Sequence, residues 1–532
     1  MSDNPAIVFD DRRLFQTGQQ FPPEDHIERL AKYQRGRKIF DGKLHEVYER
    51  ATELLKDSPQ ADQLSKLYIA INIVDVLITK PADLMFGEKP VYESGRPDDS
   101  PEQAALNRIV ANNSLNTLGH ELVVGNGYRG DAFIKVYYRP RVDLSAIPEG
   151  LPKPEVRPEP IIEPVNASFV FPETSRDSNK RFRAVNIAYV EWVRTEKDET
   201  PFLVVERHVP GYITYERFKL YPKGIDDRYG AQIEIFEIGE NVPTGRDSDI
   251  VATGVPEILV YHIPYKATDE RWEGISAIEK IESALAAIND RLIQIDYILW
   301  KHSDPTAYGP DIGDGEDVVR FGGKYIPVGK DEQTPGYMTW NSQLDGAFRE
   351  LDYLINYVFQ MSETPQWLFG TSITPEGAGG TGTSHTDGAA IRARFMPILS
   401  KVDRIRNHVD RAFRDAIRAA MMLENYANEG VEGFVPYDPI RPEIKWKDGL
   451  PDNEMELAQI MNIRTGGKPT IDVMTAIKRM DEVDDDTARQ IVERIKAEEE
   501  EEEMVDASIF RAVNSVMEDE EVEETESGED EE

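Results

Sequence analysis

Apolar positions recur every three or four residues along much of this chain, most regularly from Gly274 to His302. Ile275, Ile278, Ile281, Leu285, Ile288, Leu292, Ile295 and Leu299 fall on one face, and Ser276 precedes Glu279 at the spacing of a capping box. The pattern predicts a helical rod over 275–302, roughly 40 Å long at ~1.5 Å per residue, that stops at Asp304-Pro305. Leu344, Phe348, Leu351, Ile355 and Val358 predict a second amphipathic helix, ending near Pro365. Between the two, residues 303–343 are turn-rich and mixed, so a small module at the tip of a helical pair is expected.

Upstream, Ile27, Leu30, Ile39, Leu44, Val47, Leu54 and Leu55 predict helix over 24–57. An apolar helical stretch follows over 66–95, broken at Pro81 and closed by Gly87 and Pro90, and 101–125 again has helical spacing. At "DAFIKVYY" (131–138) the period drops to two, as in a strand. Strand-like runs continue at 184–193, 202–209, 212–221, 231–238 and 257–265 with turn signals between them, which predicts an antiparallel sheet or small sandwich. Prolines crowd residues 139–180, read as an extended arm inserted in this β-rich region. Beyond the second amphipathic helix lies "TSITPEGAGGTGTSHTDG" (371–388), too rich in Gly, Thr and Ser for a fold of its own. A long helix is expected over 389–424, and shorter helical segments over 454–464 and 470–497. The fold class expected is α+β, mainly helical.

At 532 residues the chain exceeds what one hydrophobic core serves, so several domains are expected. It contains no cysteine, which excludes disulfides, zinc–thiolate sites and thiol nucleophiles. No N-terminal signal and no apolar run near the ~20 residues of a bilayer span is visible, so a soluble intracellular product without membrane contact is expected. The formal net charge is −38, and residues 493–532, with 19 acidic and 3 basic side chains, supply −16 of it; the preceding body carries −22. A body that acidic does not hold nucleic acid by neutralising phosphates, which needs clustered Lys and Arg. It can still let DNA pass. The polyglutamate end, 501–532, is expected to be disordered.

Candidate chemistry fails on inspection. "RTGGKPT" (464–470) ends like a phosphate loop, but Asn462 stands where its first glycine belongs and Pro469 where the Mg²⁺-binding Ser or Thr belongs. "GAGGTG" (377–382) follows no strand and opens no βαβ unit. Asp484, Asp485 and Asp486 point in different directions on a helix and fit an N-terminal cap better than a metal site. The eight histidines are scattered. No catalytic residue, metal ligand or cofactor is expected.

The order of elements, supported by local sequence, resembles the portal proteins of tailed bacteriophages, in particular the SPP1-like siphophage type. "INIVDVLITKPADLMFGEKPV" (71–91) is similar to the family's N-terminal apolar helix and FGxxP turn, "SETPQWLFGTS" (362–372) to its helix-to-loop transition, and "LPDNEMELAQIMNIRTGGKPTIDVMTAI" (450–477) to its C-terminal pattern. The likeness spans about 30–500; the arm and the polyglutamate tail depart from it.

The resemblance implies a ring, dodecameric in the virion, with a central channel and subunits divided into wing, stem, clip and crown. The N-terminal helices and wing would be 1–274, the stem helices 275–302 and 344–362, the clip 303–343, the tunnel loop 363–388, the long wing helix 389–424, the helical crown 425–500 and the acidic tail 501–532. The stem's apolar stripe would be buried between neighbouring subunits. The tunnel loop, with Gly377, Gly379, Gly380, Thr381, Gly382, Thr383, Ser384 and His385, would face double-stranded DNA. Arg320, Lys324 and Lys330 in the clip, and Lys401, Arg404 and Arg406 on the long helix, are candidate basic contacts to DNA or terminase. The implied function is non-enzymatic: a capsid-vertex channel for packaging and ejection, made in the host bacterial cytoplasm. It would meet the terminase large subunit, major capsid and scaffolding proteins, and head–tail connector proteins. Two other readings are an acidic scaffold or adaptor of the virion and a metal-dependent DNA enzyme.

Overall fold

The computed structural model describes residues 12–48, 72–144, 147–148, 151–194, 199–302, 307–310, 325–328, 336–337, 344–369, 388–447, 449, 454–466, 469–481, 483, 487–498 and 500. The chain divides into two compact units, residues 1–449 and 450–532.

The first unit opens with β1 (Gln20–Phe21) and α1 (Glu24–Phe40), then α2 (Ile73–Phe86), β2 (Val91–Glu93), α3 (Pro101–Asn112) and α4 (Leu115–Arg129). Eight strands follow: β3 (Asp131–Arg139), β4 (Glu159–Val165), β5 (Val170–Ser175), β6 (Ser178–Arg194), β7 (Glu199–Val209), β8 (Tyr212–Asp226), β9 (Ile233–Val242) and β10 (Ile250–Ala252). β11 (Val260–Pro264) leads to α5 (Glu282–His302), three short strands β12 (Ala307–Pro310), β13 (Tyr325–Val328) and β14 (Gly336–Tyr337), and α6 (Leu344–Met361). The 40-residue α7 (Gly388–Ala427) and β15 (Glu443–Lys445) complete it. Helices and strands are largely segregated, as the α+β expectation has it.

Seven strands form an antiparallel sheet in the order β1-β9-β8-β7-β6-β5, with β10 on β8. Its alternating side chains Val185, Leu203, Phe218 and Phe236 pack on Ile27, Leu30 and Ala31 of α1. A second sheet, β11-β3-β4, lays Ile134, Val136 and Ile162 against Val409, Phe413, Ile417 and Met421 of α7, with Leu106 and Ile109 of α3 in the same core. β12 pairs β13 in parallel and β14 antiparallel, within the segment expected to be the tip module.

The helical pair is real but differs at its root. α5 begins at Glu282 rather than 275: Ser276 does accept from the Glu279 N–H, yet this closes only a turn. The Ile275 and Ala277 N–H groups donate instead to Lys266 and Gly127 carbonyls, which holds 275–277 as an extended lead-in. Most of the apolar stripe is also covered within the subunit, although Leu299 stays half exposed. Ile278, Ile281, Leu285, Ile288 and Ile295 pack on Leu351, Ile355, Val358 and Phe359 of α6 and on Ile73, Val74, Leu77 and Ile78 of α2. At about 1.5–3 kcal/mol per buried side chain, this seam holds the pair without a neighbour.

Other elements depart from their sequence patterns for local reasons. The helix expected over 24–57 ends at Phe40, where Gly42 takes a positive φ; residues 49–57 lie outside the described residues. Pro81 does not break α2, which runs through it. The stretch read as one helix over 101–125 is two, because the buried Asn113 side chain donates to the carbonyls of Ile109 and Pro160 and accepts from the Ile162 N–H, capping α3 on the edge of β4. Much of the proline-rich arm belongs to sheets. Pro160 and Pro164 share the outward parity of Ile162 on the edge strand β4, where no ladder donor is needed, and Pro172 lies on the edge strand β5.

Residues 425–449, expected to begin the crown, belong to the first unit: β15 pairs β2, and Trp446 packs edge-on against Phe86. The second unit holds α8 (Glu454–Thr465), α9 (Val473–Asp481) and helical residues 487–498, so the segment expected as one helix over 470–497 is two. Asp472 caps α9 by accepting from the Thr475 N–H at 2.9 Å. Asp484, Asp485, Asp486 and the tail 501–532 lie outside the described residues.

At the root of α5 lies a buried polar cluster. The Asp131 carboxylate, 1% exposed, accepts from the Tyr33 hydroxyl at 2.5 Å, His262 Nε2 at 2.6 Å and the Gly274 N–H at 2.7 Å. Arg29, also buried, spans the same cluster from α1 to the Val170 carbonyl. Burial, then the nearby Asp131 charge, pushes the Tyr33 phenol well above its ordinary value, so it stays a donor. Replacing Asp131 with alanine strands these buried donors at a cost of about 3 kcal/mol. The expected outcome is an earlier urea midpoint by tryptophan fluorescence, to which Trp272, 5.4 Å from the His262 ring, contributes. An unchanged midpoint would show that the cluster does not hold the root.

Candidate functional site

The segment between α6 and α7 is where the sequence placed its DNA-facing residues. Gly377, Gly379, Gly380, Thr381, Gly382, Thr383, Ser384 and His385 lie outside the described residues, as do Arg320, Lys324 and Lys330. The structure describes both flanks of that segment, and they are tied together.

On the upstream flank, α6 ends in a Schellman turn: the Thr364 N–H donates to the Phe359 carbonyl and the Glu363 N–H to the Gln360 carbonyl. The turn puts Glu363 at φ 55°, a left-handed position that glycine usually takes. Its carboxylate pairs with Arg404 of α7 at 2.5 Å. Pro365 then prevents the helix from resuming.

On the downstream flank, Lys401 sits inside the protein, 6% exposed, and donates to the Leu77 carbonyl and to Thr364 Oγ1, each at 3.2 Å. Leu77 is four residues before Pro81, so its carbonyl is the one that proline leaves without a helical donor. The Lys401 ammonium takes that place. One side chain therefore repairs α2 and fastens the turn after α6 to α7.

This corrects the expectation for Lys401, which is buried and has no surface to offer DNA or terminase. Arg404 stays about half exposed, bound to Glu363. Arg406 is mostly covered: it pairs with Asp403, donates to the Lys447 carbonyl and stacks on Trp446. The sequence held the signal for Lys401, since it stands three residues after Ile398 and four before Ile405, on the apolar stripe of its helix. Thr364 and Tyr265, the latter beside Lys401, were missed because nothing local distinguishes them.

Burial pushes the Lys401 ammonium from its ordinary 10.5 down to about 7; Glu363 pulls it back up and Arg404 adds to the fall. Among the described residues, no group of three His, Cys, Asp or Glu side chains could hold a metal ion, and no helix is long and apolar enough to cross a membrane.

The lowered value has a definite sign. Between about pH 7 and 10.5 the unfolded chain binds more protons at this site than the folded one, so the site makes stability rise with pH there, by at most about 1.4 kcal/mol per unit. Below pH 7 the charge is present in both states and its burial cost is constant. The Lys401→Met chain lacks this dependence. Its stability relative to the native chain should therefore be most favourable at pH 6.5 and should fall steadily at pH 8 and 9.5, read as urea midpoints. Parallel profiles for the two chains would remove the assignment.

No curated protein matches this chain. A family model does: that of phage portal proteins, SPP1 Gp6-like, matches residues 20–504, which takes in both units. The chain therefore belongs to the SPP1 Gp6-like family of phage portal proteins.

Proposed function

We propose that the chain assembles into a closed ring of twelve copies at one capsid vertex, and that the ring is the channel through which double-stranded DNA is packaged and ejected. The observation that carries this reading is the second face of α6. Leu351, Ile355, Val358 and Phe359 are spent on the seam with α5, yet on the opposite face Tyr353, Tyr357 and Met361 stay exposed, Tyr353 at 76%. A helix with one apolar face buried and an aromatic face wet is suited to packing against a copy of itself, since each large side chain covered contributes about 1.5–3 kcal/mol. The family resemblance supplies the division into wing, stem, clip and crown, with α5 and α6 as the stem and β12–β14 in the clip.

The acidic body fits a channel that passes DNA without holding it. The tunnel loop meets the DNA with uncharged glycines and neutral hydroxyls, while Glu363 and Arg404 tie its flanks. Arg320, Lys324 and Lys330 remain the clip candidates for guiding DNA or meeting the terminase large subunit. Capsid, scaffolding and connector proteins are the other partners of such a ring.

Native mass spectrometry with negative-stain microscopy should find rings of about a dozen 60.4 kDa subunits. The double variant Tyr353→Glu, Tyr357→Glu should lose them while keeping its melting temperature as a monomer; rings that persist would sink the packing assigned to this face. Deleting residues 376–383 should leave rings intact and lower DNA packaging or retention. Normal phage yield from that deletion would remove the loop's proposed part.

A further inference from the structure

We infer that residues 504–517, an apolar island within the acidic C-terminal tail, dock on α8 and α9 of the same chain and complete the core of the second unit. The contact lies within one subunit, so it stands apart from ring assembly.

The second unit is short of buried apolar surface. Among its described residues the buried hydrophobic side chains are Met461, Ala476 and Ala488, too few to hold α8, α9 and helical residues 487–498 together. Its larger side chains face water instead. Ile460 and Ile463 stand three residues apart on α8, Ile463 at 76% exposure, and Val473 and Met480 stand two turns apart on α9, at 49% and 42%. Two helices that lie against each other thus each leave an apolar face in solvent.

Three observations name the segment that covers them. "MVDASIFRAVNSVM" (504–517) interrupts the acidic tail, and its Val505, Ile509, Val513 and Val516 recur at helical spacing with Phe510 and Met517 beside them. A tail that serves only to stay solvated has no use for such a face. As a helix it would span about 21 Å, against about 18 Å for the twelve residues of α8. Charge also permits the contact. Residues 454–481 carry four acidic and four basic side chains, and 504–517 carry Asp506 and Arg511, so both are neutral in a chain of net charge −38. Finally, the described chain reaches Glu500, four residues before Met504 and in the same compact unit as α8 and α9. So short a tether gives the segment an effective concentration that a second copy or a separate partner does not match.

Hydrogen–deuterium exchange of the full-length chain reads the contact. Amides of 505–517 should exchange at least about tenfold more slowly than in the free peptide. The double variant Ile509→Asp, Phe510→Asp should speed exchange in α8 and α9 by about tenfold or more and leave α7 as in the native chain. Ile463→Asp with Val473→Asp, both at exposed positions, should in turn release 505–517. Because the chain has no cysteine, Ile463→Cys with Phe510→Cys gives a unique pair for a short bismaleimide, and the expected product is a cross-link within one 60.4 kDa chain. Products at multiples of that mass would put the segment on a second copy and overturn docking within the chain. Unprotected amides over 505–517 in the native chain, or α8 and α9 that exchange alike with and without Ile509 and Phe510, would overturn it as well.

Discussion

Two backbones meet at Gly130 and Gly274, and the first unit is organised around that meeting. Gly130 takes φ +95°, and a Cβ on it would stand 2.7 Å from the Gly274 carbonyl oxygen; a side chain on Gly274 would in turn collide with the Gly130 carbonyl. Only this close approach lets Asp131 receive the Gly274 N–H and the Tyr265 N–H reach the Gly130 carbonyl. The lead-in to α5 is thereby fixed to the turn between α4 and β3. Because α1 reaches the same point through Tyr33, and ties α5 again through Arg35 and Glu282, the root of the helical pair cannot rotate independently of the sheets.

From that root the two faces of the pair divide their work. The seam between α5 and α6 is closed by aliphatic side chains within one subunit, while the aromatic residues of α6 remain available to a neighbour. A subunit built this way closes the seam of its helical pair with its own side chains. The turn after α6 carries the same logic to the loop that follows, since Glu363, Thr364, Lys401 and Arg404 fasten its flanks whatever the loop itself does.

Much of this was legible in the sequence because periodicity reports burial. The 3.6-residue spacing located α6 and α7 to within a few residues, and the two-residue spacing found four of the seven strands of the large sheet, β6 to β9. It failed where tertiary partners override local preference. Ile275 and Ala277 have the spacing of a helix, yet their N–H groups are taken by carbonyls from elsewhere in the chain. Pro81 reads as a break, and only a lysine 320 residues away makes it tolerable. Prolines 160, 164 and 172 read as a loop because a sequence cannot show which strand lies at an edge. The candidate site was legible as a place and less so as residues: the segment between α6 and α7 was marked by composition, but charge alone could not separate the buried Lys401 from the exposed face of its own helix.

The edge prolines also bear on the company the protein keeps. Its family consists of capsid-associated homo-oligomers, so copies of the chain meet one another. An open strand edge is then a hazard, because any other strand can add to it and start a sheet that does not close. β4 and β5 present their outer rims with prolines in place of donors, and Ile162, between two of them, has its N–H occupied by Asn113. What the sequence displays as an irregular arm thus supplies prolines that guard two strand edges.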